Sequence, residues 1–88
     1  MADTKVAFVT GANRGLGLET ARGLGQLGIH VLMGSRDKAK GDAAAAKLKA
    51  DGVGSVEAVA FDVADPTHHG QIADLIAKRF GRLDILVN

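Results

Sequence analysis

The stretch Val9–Gly17, "VTGANRGLG", sets three glycines, Gly11, Gly15 and Gly17, between an apolar run and a helical pattern. The apolar run is Val6 to Val9, with no polar interruption, as in a strand covered on both faces. From Gly15 the spacing turns helical, with Leu16, Thr20, Leu24 and Leu27 on one stripe and the small residues Gly17 and Ala21 beside them. A helix start presents unpaired N–H groups and a partial positive charge, and glycines before it let an anion approach the backbone closely. In this strand-then-helix setting the turn reads as a phosphate cradle.

Working outward, the same alternation repeats. Gly28 ends the first helix as a left-handed cap, and "IHVLM", Ile29 to Met33, reads as a second strand. Asp37 is the N-cap of an alanine-rich helix that Gly52 closes. "SVEAVAF", Ser55 to Phe61, is a third strand, and Asp65 followed by Pro66 opens a third helix with Ile72, Leu75, Ile76 and Phe80 on one face. Gly81 ends that helix, and Asp84 to Val87 starts a fourth strand. Strand and helix in strict alternation predict an α/β fold with a parallel sheet and right-handed crossovers.

The expected architecture is the N-terminal half of a Rossmann doubly wound fold, four parallel strands in order 3-2-1-4 with three helices. Helices one and two then cover one face and helix three the other. Residues 1–88 read as a single dinucleotide-binding segment, because no linker or low-complexity tract divides them. Strand four is left apolar and open at one edge, which suggests a missing C-terminal half or self-association.

Composition narrows the function. The chain has 88 residues, 47% of them apolar and 24% charged, as in a globular domain. A net charge of +1 without blocks of like charge gives no reason to expect nucleic acid or membrane as a partner. The absence of cysteine excludes disulfides, thiolate metal sites and cysteine nucleophiles, and suits a reducing compartment. With no signal-peptide core and no run of ~18 apolar residues, a cytoplasmic location is expected. His68 and His69 are adjacent on a helix and lack matching carboxylates, so they read as a solvated first turn rather than a metal site. Arg82 and Asp84 read as loop and cap residues.

The spacing within the loop separates classes of nucleotide binder. There is no G-x-x-x-x-G-K-[ST], which disfavours an ATPase or GTPase, and Thr20 stands where the general G-x-G-x-x-G fingerprint needs glycine or alanine. What is present is T-G-x-x-x-G-x-G, Thr10 to Gly17. With "DV" at Asp62 and Val63 and "LDILVN" at Leu83 to Asn88, the whole chain resembles the short-chain dehydrogenase/reductase family, in its N-terminal cofactor-binding part. The pattern is especially similar to NADPH-dependent carbonyl reductases.

That resemblance implies roles for particular residues. Gly11, Gly15 and Gly17, with the Leu16 amide, would hold the pyrophosphate and adjoining ribose. Asp62 would accept from the adenine amino group, and the Val63 backbone would meet the ring. Asn13 and Asn88 complete the implied cofactor-binding set. By the family pattern Ser35 stands where NAD-dependent members place a carboxylate, and Arg36 follows it. Arg36 and Arg14 together favour NADP(H) over NAD, since arginine pairs with the 2′-phosphate. Asp37 keeps NAD as the alternative.

The resemblance also implies a parent oxidoreductase moving hydride between NADPH and a carbonyl or alcohol. The family's Tyr-x-x-x-Lys pair, with its Ser and Asn, does not occur here, and the chain has no tyrosine at all. No catalytic residue is therefore assigned, and the isolated chain is expected to be inactive. The alternative from another class is a free-standing dinucleotide-binding or interaction module that pairs through its open strand edge. Continuation of the reading frame into "NAG" and Tyr-x-x-x-Lys would discriminate the two.

Overall fold

A computed structural model of the protein describes residues 4–88. Its elements alternate without exception: β1 (Val6–Val9), α1 (Gly15–Gln26), β2 (His30–Ser35), α2 (Lys38–Ala50), β3 (Val56–Ala60), α3 (Pro66–Arg79) and β4 (Ile85–Val87). All pairings are parallel, and the sheet order is β3-β2-β1-β4. β1 thus lies inside the sheet between β2 and β4, and all four of its residues are buried.

The helix ends follow from local chemistry. Asp37 accepts from the Lys40 N–H at 3.2 Å and Asp65 from the Thr67 N–H at 2.9 Å, so two of the three helices carry carboxylate caps. At the other ends of α1 and α2, Gly28 and Gly52 have φ of +84° and +91°. The left-handed turn lets the following residues reach back, Ile29 N–H to the Leu24 carbonyl at 3.2 Å and Val53 N–H to the Leu48 carbonyl at 2.9 Å.

Side chains divide by strand alternation. Val9, Val31, Met33 and Val56 pack beneath Ala21 of α1 and Ala44, Ala45 and Leu48 of α2. Val6, Phe8, Leu32, Val59 and Phe61 face α3, through Ile76 with Ile72, Leu75 and Phe80 at its margin. The expected distribution of helices, two on one face and one on the other, is the one observed.

Three expectations need correction. The α1 stripe does not pack as read: Leu16 and Leu27 are 85% and 76% exposed, while Ala21 is buried and Leu18 and Leu24 meet the core. Small residues set the contact face because the helix lies close to the sheet, and a longer side chain there would hold it off. β2 runs to Ser35 rather than stopping at Met33, because Gly34 and Ser35 continue the pairing with Val59 and Ala60. Gly34 is admitted inside a strand because the Phe8 ring and Phe61 occupy the space a side chain would take. β4 begins at Ile85, and Asp84 instead closes the edge of β1, its Oδ2 accepting from the Val6 N–H at 2.8 Å.

At the opposite end from the strands' C-termini, α3 is clasped to the sheet. Arg79 donates twice to Glu57 of β3, both at 2.8 Å, and the His30 ring approaches the same carboxylate at 2.7 Å. The Arg79 hydrogen bond, with help from His30, holds the Glu57 carboxyl below the usual carboxylate range despite partial burial. Glu57 therefore binds fewer protons folded than unfolded. Its contribution is complete above the ordinary glutamate value of about 4.3 and fades as pH falls through the lowered folded value. Urea midpoints measured from about pH 7 down to about pH 3 should fall more steeply for wild type than for Glu57→Gln over that acid window. Superimposable acid limbs would show that the clasp contributes nothing.

Candidate functional site

The β1–α1 loop is stitched to the strands on both sides of it. The Thr10 N–H donates to the Val87 carbonyl of β4 at 2.9 Å, and the Ala12 N–H donates to the Gly34 carbonyl of β2 at 3.0 Å. Ala12 is fully buried, so the loop is anchored at its middle. Gly11 and Gly15 adopt φ of +59° and +60°, which side-chain-bearing residues rarely reach. At Gly17 the reason is different, since a Cβ there would run into the Gly11 carbonyl oxygen. The first turn of α1 lies against its own loop because position 17 has no side chain.

The start of α1 also differs electrostatically from the other two. Arg14 occupies the N-cap position with extended backbone and no side chain caps the helix, whereas Asp37 and Asp65 cap α2 and α3. Its N–H groups and positive dipole end face a cleft of about 1160 Å³ outside the C-terminal ends of β1, β2 and β4. An open parallel sheet places a ligand crevice there, where its strand order reverses.

The cleft wall brings together nearly all the residues singled out from sequence. Gly11, Asn13, Arg14, Gly15, Leu16, Gly17, Ser35, Arg36, Val63 and Asn88 line it. Asp62 does not; it stands behind Val63, its Oδ1 accepting from the Ala64 N–H at 3.0 Å in a tight turn. Val63 is 69% exposed at the wall. Ser35 lies at the end of β2 but is only 2% exposed, and its hydroxyl donates to the Asp37 carbonyl at 2.9 Å. That bond shapes the turn into α2. Asp37 is committed to capping, as the sequence suggested.

Two features escaped the sequence reading. Lys40, in the first turn of α2, lines the same cleft. With Arg14 and Arg36 it makes three cations without a carboxylate partner among the described residues, whereas Lys38 beside it pairs with Asp42 at 2.8 Å. The available signal was a lysine in a helix first turn, where the dipole favours acids. The second is the histidine pair, which is not a freely solvated turn. His68 accepts from the Asp62 N–H, and His69 meets the Val63 carbonyl, each at 2.8 Å. No group of three or more potential metal ligands occurs among the described residues. Asp65 nearby is held below the usual carboxylate range by the Thr67 hydroxyl and N–H.

The loop geometry makes a contrast between two glycines of one helix. Gly17→Ala should cost about 1–3 kcal/mol by overpacking against the loop, whereas Gly23→Ala, whose Cβ would meet open space, should gain about 0.5–1 kcal/mol. Equilibrium urea unfolding of both variants is the check. Equal changes would mean that the loop gives way freely.

Comparison with known proteins agrees with this geometry. The short chain dehydrogenase family profile matches residues 5–88. Short-chain dehydrogenase/reductase 1 of Saponaria officinalis is 44% identical over 90 residues, covering all of this chain and 30% of that protein. Carbonyl reductase (NADPH) 1 of Sus scrofa is 39% identical over 88 residues, covering 99% of this chain and 30% of that protein. The crystal structure of a metagenomic short-chain oxidoreductase in complex with NADP superposes with a TM-score of 0.85 at 36% identity, covering 98% of this chain and 39% of that one. The chain thus spans about 30% of the length of the curated relatives it matches. No helix among the described residues is long and apolar enough to cross a membrane. Loop, sheet order and sequence relatives agree that the chain belongs to the short-chain dehydrogenase/reductase family of oxidoreductases.

Proposed function

We propose that residues 1–88 are the NADP(H)-binding segment of an oxidoreductase that passes hydride between NADPH and a carbonyl or alcohol substrate. The observation that carries this reading is the uncapped start of α1 facing a cleft ringed by Arg14, Arg36 and Lys40. A dinucleotide fits those donors. Its pyrophosphate suits the N–H groups of Gly15, Leu16 and Gly17, and its 2′-phosphate suits the three cations, which have no carboxylate partner among the described residues. Ser35 offers no carboxylate to a ribose diol, and Asp37 is spent on its helix. Both facts favour NADP over NAD. The relative that was solved with NADP and the carbonyl reductase whose name carries NADPH point the same way.

When bound, NADPH would supply the hydride. The chain's own residues would bind and orient it. Asn13 and Asn88 would bound the cleft, and the Asp62–Val63 turn would hold the adenine end, with one Asp62 oxygen left to accept from the amino group. Proton supply is a separate requirement, and the tyrosine of the family's Tyr-x-x-x-Lys pair is not among these 88 residues.

The test is a set of cofactor titrations of the 88-residue chain at one fixed ionic strength. Arg36→Ala should weaken NADPH binding by about 10–100-fold, the equivalent of a charged hydrogen bond of about 1.5–3 kcal/mol, and should leave NADH almost unchanged. Lys40→Ala and Arg14→Ala should act in the same direction. With NADPH and a carbonyl substrate together, the chain should bind cofactor without turnover. Equal weakening of both cofactors by Arg36→Ala would make the arginine structural and remove the NADP assignment.

A further inference from the structure

The two histidines at the start of α3 have a use that cofactor contacts alone do not explain. A backbone N–H only donates, so His68 Nδ1, 2.8 Å from the Asp62 nitrogen, carries no proton. The proton sits on Nε2, which faces Asp65 Oδ2 at 3.5 Å. A carbonyl only accepts, so His69 Nε2 donates to Val63 at 2.8 Å. Neighbouring residues on a helix point about 100° apart, and here they grip the two peptide groups that flank the Asp62–Val63 peptide. Beneath them the buried Phe61 ring lies 5.0 Å from the His69 ring and 6.5 Å from the His68 ring.

We propose that His68 and His69 are positioning residues, a two-point latch from α3 that holds the Asp62–Val63 turn in shape to receive the adenine of the cofactor. This rests on the cofactor reading above. The latch is asymmetric toward protons. His69 donates in either charge state, but a proton on His68 Nδ1 would set one donor against another and release Asp62. Among the described residues, the charged group that meets the His68 ring is Asp65 of its own helix start, while Asp62 meets it through its backbone N–H. Just past β3, the Phe61 ring lies 6.5 Å from it.

The experiment compares NADPH with its hypoxanthine counterpart, which lacks the amino group that Asp62 would accept from. The readout is the ratio of the two dissociation constants for the 88-residue chain. Wild type should favour NADPH, and His68→Ala should reduce that preference by about 3–10-fold, as for loss of one hydrogen bond. His68→Asn, which puts an amide oxygen near the place of Nδ1, should keep the preference.

If Asp62→Asn lowers the preference while His68→Ala leaves it unchanged, the latch is overturned and the cofactor reading stands. If wild type binds neither dinucleotide, the cofactor reading falls and the latch's role with it. Nitrogen NMR then still tests the latch itself, which requires His68 as the Nε2–H tautomer; the Nδ1–H form would contradict it.

Discussion

The contact on which the site depends is the one between the first turn of α1 and its own loop, open because position 17 carries no side chain. A methyl group there would meet the Gly11 carbonyl oxygen. With that approach allowed, Thr10 can bond to β4 and Ala12 to β2, and the loop becomes an extension of the sheet. A segment tied on both sides has little conformational entropy left to lose when a ligand arrives. The helix N-terminus is thereby presented as a fixed array of donors at the point where the strand order reverses.

Charge is distributed to match. Asp37 and Asp65 neutralise the starts of α2 and α3, and Glu57 is taken up by Arg79 and His30. At the cleft the pattern inverts, with an arginine at the α1 cap position and a lysine in the first turn of α2. Both placements work against the helix dipoles in the free chain, so an anion between them would relieve an existing repulsion. The opposite side of the molecule is thinner. α3 covers its sheet face alone, and Leu86 of the open edge strand is 58% exposed.

Much of this was legible in the residues, because punctuation is local. Asp37, Asp65, Pro66, Gly28, Gly52 and Gly81 mark helix ends by rules that need no tertiary information, and their alternation with apolar runs leaves few topologies. The face of α1 was not legible. Periodicity counts hydrophobic residues, whereas the sheet selects small ones, so Leu16 and Leu27 look like core and stand in solvent. The loop glycines were found because strand, turn and helix are contiguous. Lys40 and the contacts of the histidine pair were missed because they arise between segments: Lys40 lines the cleft that the start of α1 faces, and His68 folds back six residues onto Asp62. Ser35 was singled out by the family pattern although the strand was read only to Met33, and its hydroxyl bond to Asp37 was invisible in the spacing.

Whether the loop is an anion cradle can be asked of the chain directly, by titrating isotopically labelled protein with NADP and following its backbone amide signals. The amides of Gly11, Gly15, Leu16 and Gly17 should move together and saturate at one concentration, with Arg36 and Val63 following at the two ends of the cleft. Signals that move only along the exposed β4 edge, with the loop amides unchanged at saturation, would contradict it.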